Sequence, residues 1–106
     1  MKGLLIDPEE KAITTVEVVT LGDILKTVSC KYFEMMHLGP DHMFFDESGR
    51  GKTPFTLVDA DGVERKIGGK ALVLGDGGDG ENADHKIAAE ELKRFIVWDG
   101  DSESGS

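Results

Sequence analysis

Lys70-Ala71-Leu72-Val73-Leu74-Gly75 is continuous and apolar between a lysine and a glycine. Such a run predicts a central strand. Asp76-Gly77-Gly78-Asp79-Gly80-Glu81 follows, acidic and rich in glycine, and predicts a mobile surface loop over 76–82. His85-Lys86-Ile87 then predicts a short antiparallel return strand. Ala88 to Phe95 predicts a helix, because alanine and glutamate have high helical propensity. Glu90 and Glu91 stand in its first turn and Lys93 and Arg94 in its last, the order that the helix dipole favours. Ala89, Leu92, Phe95 and Ile96 would form its buried stripe, with Val97 and Trp98 closing the core.

The chain before this stretch supplies further strands. Gly3-Leu4-Leu5-Ile6 ends at Asp7-Pro8, a strand entering a turn. Ile13 to Val19 has a period near two and many β-branched residues, so it predicts the second strand of an N-terminal hairpin. Val16 and Val18 would face inward and Glu17 outward. Thr20-Leu21-Gly22-Asp23 has the form of a capping box with aspartate in place of glutamate. Leu21, Ile24, Leu25 and Val28 recur at helical spacing, so a short helix is expected to about Ser29. Tyr32–Leu38 and Met43–Phe45 predict two more strands around Gly39-Pro40-Asp41. Phe55–Val58 and Val63–Ile67 flank the turn Asp59-Ala60-Asp61-Gly62. Residues 46–69 read as a hairpin or a long surface loop. Asp99–Ser106 predicts a disordered acidic tail.

The sequence has 106 residues, one domain's worth. A chain of this size buries roughly 65% of its unfolded surface. With 21 acidic and 12 basic residues the formal net charge is −9. Direct binding to nucleic acid is disfavoured, because affinity for a phosphate backbone comes from Lys and Arg displacing counterions. Basic protein surfaces suit such a chain better. Solubility alone is the competing explanation. The single cysteine, Cys30, excludes an internal disulfide. The N-terminus turns polar after three apolar residues, unlike a signal peptide, and no apolar run approaches the roughly 18 residues of a membrane span. These features predict a cytoplasmic protein without membrane attachment.

Motifs for chemistry are weak. Gly51-Lys52-Thr53 would need a glycine at position 46 and a helix after it to make a P-loop; Asp46 and Pro54 stand there instead. Asp59-Ala60-Asp61-Gly62 suits a hairpin turn better than a calcium loop, whose first ligand position would fall on Leu57. His37, His42, His85 and Cys30 lack the spacing of a zinc site. Cys30 reads as a structural thiol. Tyr32, Phe33, Phe44, Phe45 and Phe55 suit a core better than a base-stacking platform, because their neighbours Asp41, Asp46 and Glu47 are acidic. No cofactor or metal is expected, and no catalytic set is assembled.

Lys2-Gly3-Leu4-Leu5-Ile6-Asp7-Pro8, Thr20-Leu21-x-Asp23-Ile24, Phe44-Phe45-Asp46-Glu47-x-Gly49 and Gly69–Gly75 together resemble a small uncharacterised domain family of bacteriophages and bacterial mobile elements. The resemblance covers most of residues 1–98. It carries no assigned activity and therefore no catalytic residues. It implies a setting, the cytoplasm of an infected or element-bearing bacterium, where small acidic proteins often block a host protein such as a defence nuclease.

The sequence therefore predicts a single α+β domain over 1–98. Its sheet would be twisted and mostly antiparallel, with five or six strands and two short helices on one face. The expected function is non-enzymatic: carboxylates imitate nucleic-acid phosphates and occupy a basic site on a host protein. Asp76, Asp79, Glu81 and Asp84 are the candidate binding residues, extended by Asp46, Glu47, Asp59 and Asp61 where the turns share an edge. The alternative is a protein that sequesters a small ligand or nucleotide on a glycine-rich loop. The oligomeric state is left open, a homodimer included.

Overall fold

The computed structural model describes residues 1–49, 51–59, 61–79 and 81–99. Strands β1 (Lys2–Asp7) and β2 (Ala12–Glu17) form the N-terminal hairpin, and α1 (Leu21–Val28) follows. Strands β3 (Phe33–Leu38) and β4 (Asp41–Asp46) form a second hairpin, and β5 (Pro54–Val58) and β6 (Glu64–Gly68) a third. A fourth joins β7 (Ala71–Gly78) to β8 (Glu81–Ala83). Helix α2 (Ala89–Leu92) passes through a 3₁₀ turn (Lys93–Phe95) into β9 (Ile96–Trp98).

The apolar run is central, as its composition predicts. It lies between β1, pairing Leu4 with Val73, and β4, pairing Phe44 with Leu72, both antiparallel. The larger sheet has six strands in the order β2-β1-β7-β4-β3, with β8 on β7; a second sheet has the order β6-β5-β9. The molecule is α+β and mostly antiparallel.

Alternation along β7 separates two cores. Ala71 and Val73 pack with Leu4, Ile6, Met43 and Phe45 against Phe55, Leu57 and Ile67 of the second sheet and Leu92 of α2. Leu72 and Leu74 face the other way, onto Val18, Phe44 and the α1 residues Ile24 and Val28. All four β7 side chains are fully buried, which explains the absence of a polar alternation. Burying each leucine contributes about 1.5–3 kcal/mol. The two helices consequently lie on opposite faces of the large sheet, not on one face. The sequence stripes show that each helix has an apolar side, but not which side of the sheet it covers.

The capping box forms as read. Thr20 Oγ1 accepts from the Asp23 amide at 3.2 Å, and Asp23 Oδ2 accepts from the Thr20 amide at 3.0 Å and the Val19 amide at 2.8 Å. The Thr20 and Val19 amides hold the Asp23 carboxyl below its usual value. Ser29 ends the helix in the left-handed region, with φ 61°. Leu21 leaves the expected stripe and is exposed, as is Tyr32; the other four aromatics of the expected core set are buried or pack against it.

The glycine-rich stretch corrects the expectation of a loop. Strand β7 continues to Gly78 and pairs with β8, with a register shift between Asp76 and Gly78. Residues 85–87 are not the return strand; β8 fills that role earlier. Of the predicted second helix, Ala89–Leu92 is α-helical and Lys93–Phe95 tightens into the 3₁₀ turn, after which Ile96–Trp98 pair with β5. Residues 54–68 prove to be a hairpin rather than a loop. The expected acidic tail lies outside the described residues, apart from Asp99.

Asp41 fixes the passage between the two sheets. Its side chain shares a face with Met43 and Phe45 and is fully buried. Both carboxylate oxygens accept from the Lys86 amide at 3.0 Å, and Oδ2 also accepts from the Ile87 amide at 2.7 Å. The segment after β8 is thereby drawn across the sheet towards α2 and β9. Asp41→Asn presents an NH₂ group to amide donors. It is expected to cost about 2–3 kcal/mol, read from the midpoint of urea unfolding.

Candidate functional site

The expected binding residues lie at two ends of the large sheet. Asp41 pairs with Gly75 and Phe45 with Ala71, so β4 runs from the end carrying Asp76 to the end carrying Asp46 and Glu47. Five residue steps separate these ends, roughly 17 Å. Asp46 and Glu47 therefore do not extend the patch of Asp76, Asp79, Glu81 and Asp84. Asp59 and Asp61 do share that end: they line one cleft together with Gly39, Pro40 and Lys86. The Lys86 ammonium in turn donates to the Asp76 carbonyl at 2.8 Å.

Asp59, Asp76, Asp79 and Asp84 each have a local reason for their position. Asp76 Oδ1 accepts from the Gly78 amide at 2.9 Å, within the hairpin turn. This bond, reinforced by the charges of His42, Lys86 and His37, holds its carboxyl below the usual value. His42 Nε2 stands 3.6 Å from Asp76 Oδ2. Gly78 pairs with Glu81, so the chain reverses at Asp79, whose φ is 51°; aspartate tolerates this left-handed conformation better than most residues. Asp84 Oδ1 accepts from the Lys2 amide at 2.8 Å, and the His85 amide donates to the Lys2 carbonyl at 2.9 Å. The segment after β8 is thus tied to the start of β1. Gly75 is required for this approach, since a Cβ there would lie 2.1 Å from the Asp84 carbonyl oxygen.

The Asp59 turn is a hairpin turn. Asp59 Oδ1 accepts from the Asp61 amide at 2.9 Å and the Val63 amide at 3.0 Å, and the Gly62 amide donates to the Asp59 carbonyl at 3.0 Å. The side chains of Asp61, Asp79 and Glu81 are exposed. Glu91 of α2 lines the same cleft as Asp59 and Asp61. In the sequence it is indistinguishable from an ordinary first-turn helix acid. Asp41 also escaped notice, because an aspartate after Gly-Pro reads as a turn residue.

The opposite end shows a different use of charge. Lys52 reaches Asp46 Oδ2 at 2.5 Å and the Ser29 carbonyl at 2.7 Å. The lysine of Gly51-Lys52-Thr53 therefore joins the end of α1 to the end of β4, and strand β5 follows it. Cys30 borders the same region; burial, and secondarily Asp46, pushes its thiol pKa up, so less of it is the reactive thiolate. His37 and His42 face each other edge-to-face at 5.0 Å. Among the described residues no group of three or more His, Cys, Asp or Glu side chains could hold a metal ion, and no helix is long and apolar enough to cross a membrane. No family model, curated protein or solved structure matches this chain.

Lys52, with the amides of Ser48 and Gly49 assisting, lowers the Asp46 carboxyl from its ordinary 3.8. A depressed folded-state pKa stabilises the fold above the unfolded value, and the contribution disappears as pH falls through the folded value. Asp46→Asn is expected to lose about 1 kcal/mol near pH 7. Its stability should approach that of the natural chain as acid is added below pH of about 4. Urea midpoints across pH measure the convergence.

Proposed function

We propose that this chain is a non-enzymatic recognition protein that covers a basic surface of another protein. The carrying observation is the gathering of Asp59, Asp61, Asp76, Asp79, Glu81 and Asp84 at one end of the molecule, on the β5–β6 turn and on the β7–β8 hairpin with the residue that follows it. Rigid elements hold these turns, so their charges are presented without much loss of chain entropy on binding. Lys86 and Lys2 are cations at this end; the Lys86 ammonium is turned to the Asp76 carbonyl, and the Lys2 backbone is tied to Asp84. An acidic face of this kind repels nucleic acid and attracts a surface built to bind it. The resemblance to a bacteriophage domain family supplies the setting: a cytoplasmic host protein, such as a defence nuclease, whose phosphate-binding groove the carboxylates would fill.

Affinity capture from bacterial extract, followed by titration of the captured protein, tests this reading. The partner should present a basic face, and its affinity should fall as salt rises. Asp76→Asn/Asp79→Asn/Glu81→Gln should weaken binding about tenfold or more, the equivalent of about 1.4 kcal/mol. Asparagine at 76 keeps an acceptor for the Gly78 amide. Glu9→Gln/Glu10→Gln/Glu47→Gln, at the other end, should leave affinity unchanged. A partner without a basic face, or binding insensitive to salt, contradicts the proposal.

A further inference from the structure

The cleft beside the acidic face has a composition that selects its occupant. It holds about 420 Å³, within the roughly 300–1,000 Å³ of natural ligand clefts. Its walls come from the β3–β4 turn, the β5–β6 turn and α2. Met36, Leu38 and Phe95 pack on the core beneath it but remain partly exposed, and Leu57 closes the floor. Three carboxylates, Asp59, Asp61 and Glu91, stand among this lining. Asp59 spends one oxygen on turn amides. Asp61 and Glu91 have no salt-bridge partner among the described residues. His37 and Lys86 also line the cleft, the Lys86 ammonium donating to the Asp76 carbonyl.

The three carboxylates outnumber the Lys86 ammonium, so an anion would meet net negative charge here, and a wholly apolar group would leave those carboxylates against its surface. The complementary group has an apolar stem and a cationic head. Guanidinium is more weakly hydrated than ammonium and matches carboxylate geometry with two parallel donors. We propose that the cleft receives an arginine side chain from a loop of the basic partner. Its stem would lie along Met36, Leu38 and Phe95, and its guanidinium against Asp61 and Glu91. This inference builds on the recognition role proposed above and assigns the cleft as the point where that partner is anchored. Central arginines in apolar pockets are frequent energetic anchors of protein interfaces.

The test is an amide NMR titration of the ¹⁵N-labelled full chain with the capped dipeptide acetyl-Leu-Arg-amide. Saturable shifts at Leu38, Gly39, Asp61 and Ile87 are expected, with a Kd on the order of 1 mM. Acetyl-Leu-citrulline-amide, which keeps the shape without the charge, should bind at least about fivefold more weakly, as should the lysine dipeptide. Asp61→Asn/Glu91→Gln should lose about as much while its other resonances stay in place. Equal binding of the citrulline or lysine peptide overturns the assignment. So do unchanged binding by the double variant and shifts confined to the β7–β8 hairpin. Capture of a salt-sensitive basic partner with no peptide shifts at the cleft removes this inference alone. Peptide seated in the cleft without any such partner supports the cleft and removes the wider reading.

Discussion

The buried carboxylate of Asp41 is the constraint on which the arrangement of this molecule depends. A charge removed from water is strongly unfavourable unless its lone pairs are filled. Here the Lys86 and Ile87 amides fill them. In exchange, a stretch without ladder pairing of its own obtains partners for two backbone donors. The bonds fix where the chain leaves the six-stranded sheet for the layer containing α2 and β9. They also set Lys86 between the β7–β8 hairpin and the cleft. Asp41 therefore sets where the segment after β8 lies, while the acidic turns take their own shapes from local amide contacts.

The exposed carboxylates have two roles at once. Asp59 and Asp76 accept turn amides, and Asp84 accepts the Lys2 amide, so each helps to shape the backbone that carries it. Their negative charge nevertheless remains at the surface. An acidic face assembled this way needs little ordering when a partner arrives. At the other end Asp46 is neutralised by Lys52 and ties two elements together. Acidic residues in the two regions thus differ in what opposes their charge, even though both follow short strands in the sequence.

Much of the fold was legible because local signals and tertiary packing agree. Leu72 and Leu74 oppose Ala71 and Val73 across a strand buried on both sides, so the unbroken apolar run is what the position requires. Thr20 and Asp23 carry a complete local motif for a helix start. Other features depend on partners distant in sequence. Ile96–Trp98 continue a helical pattern but gain more from pairing with β5. Asp76–Gly78 look like a loop until Glu81–Ala83 pair with them. Packing of the second sheet placed Asp59 and Asp61 in a cleft with Lys86, which reaches the β7–β8 hairpin, and strand register kept Asp46 and Glu47 away. Asp41 was hidden for the same reason: its amide partners lie 45 and 46 residues further along the chain.

Native-state hydrogen exchange at the Lys86 and Ile87 amides tests the role of Asp41 most directly. Outside a strand or helix, such amides exchange quickly unless something buried accepts from them. The carboxylate anchor predicts protection within about tenfold of that at Leu72 and Val73 in the central strand. Exchange as fast as that of an unbonded surface loop would contradict it.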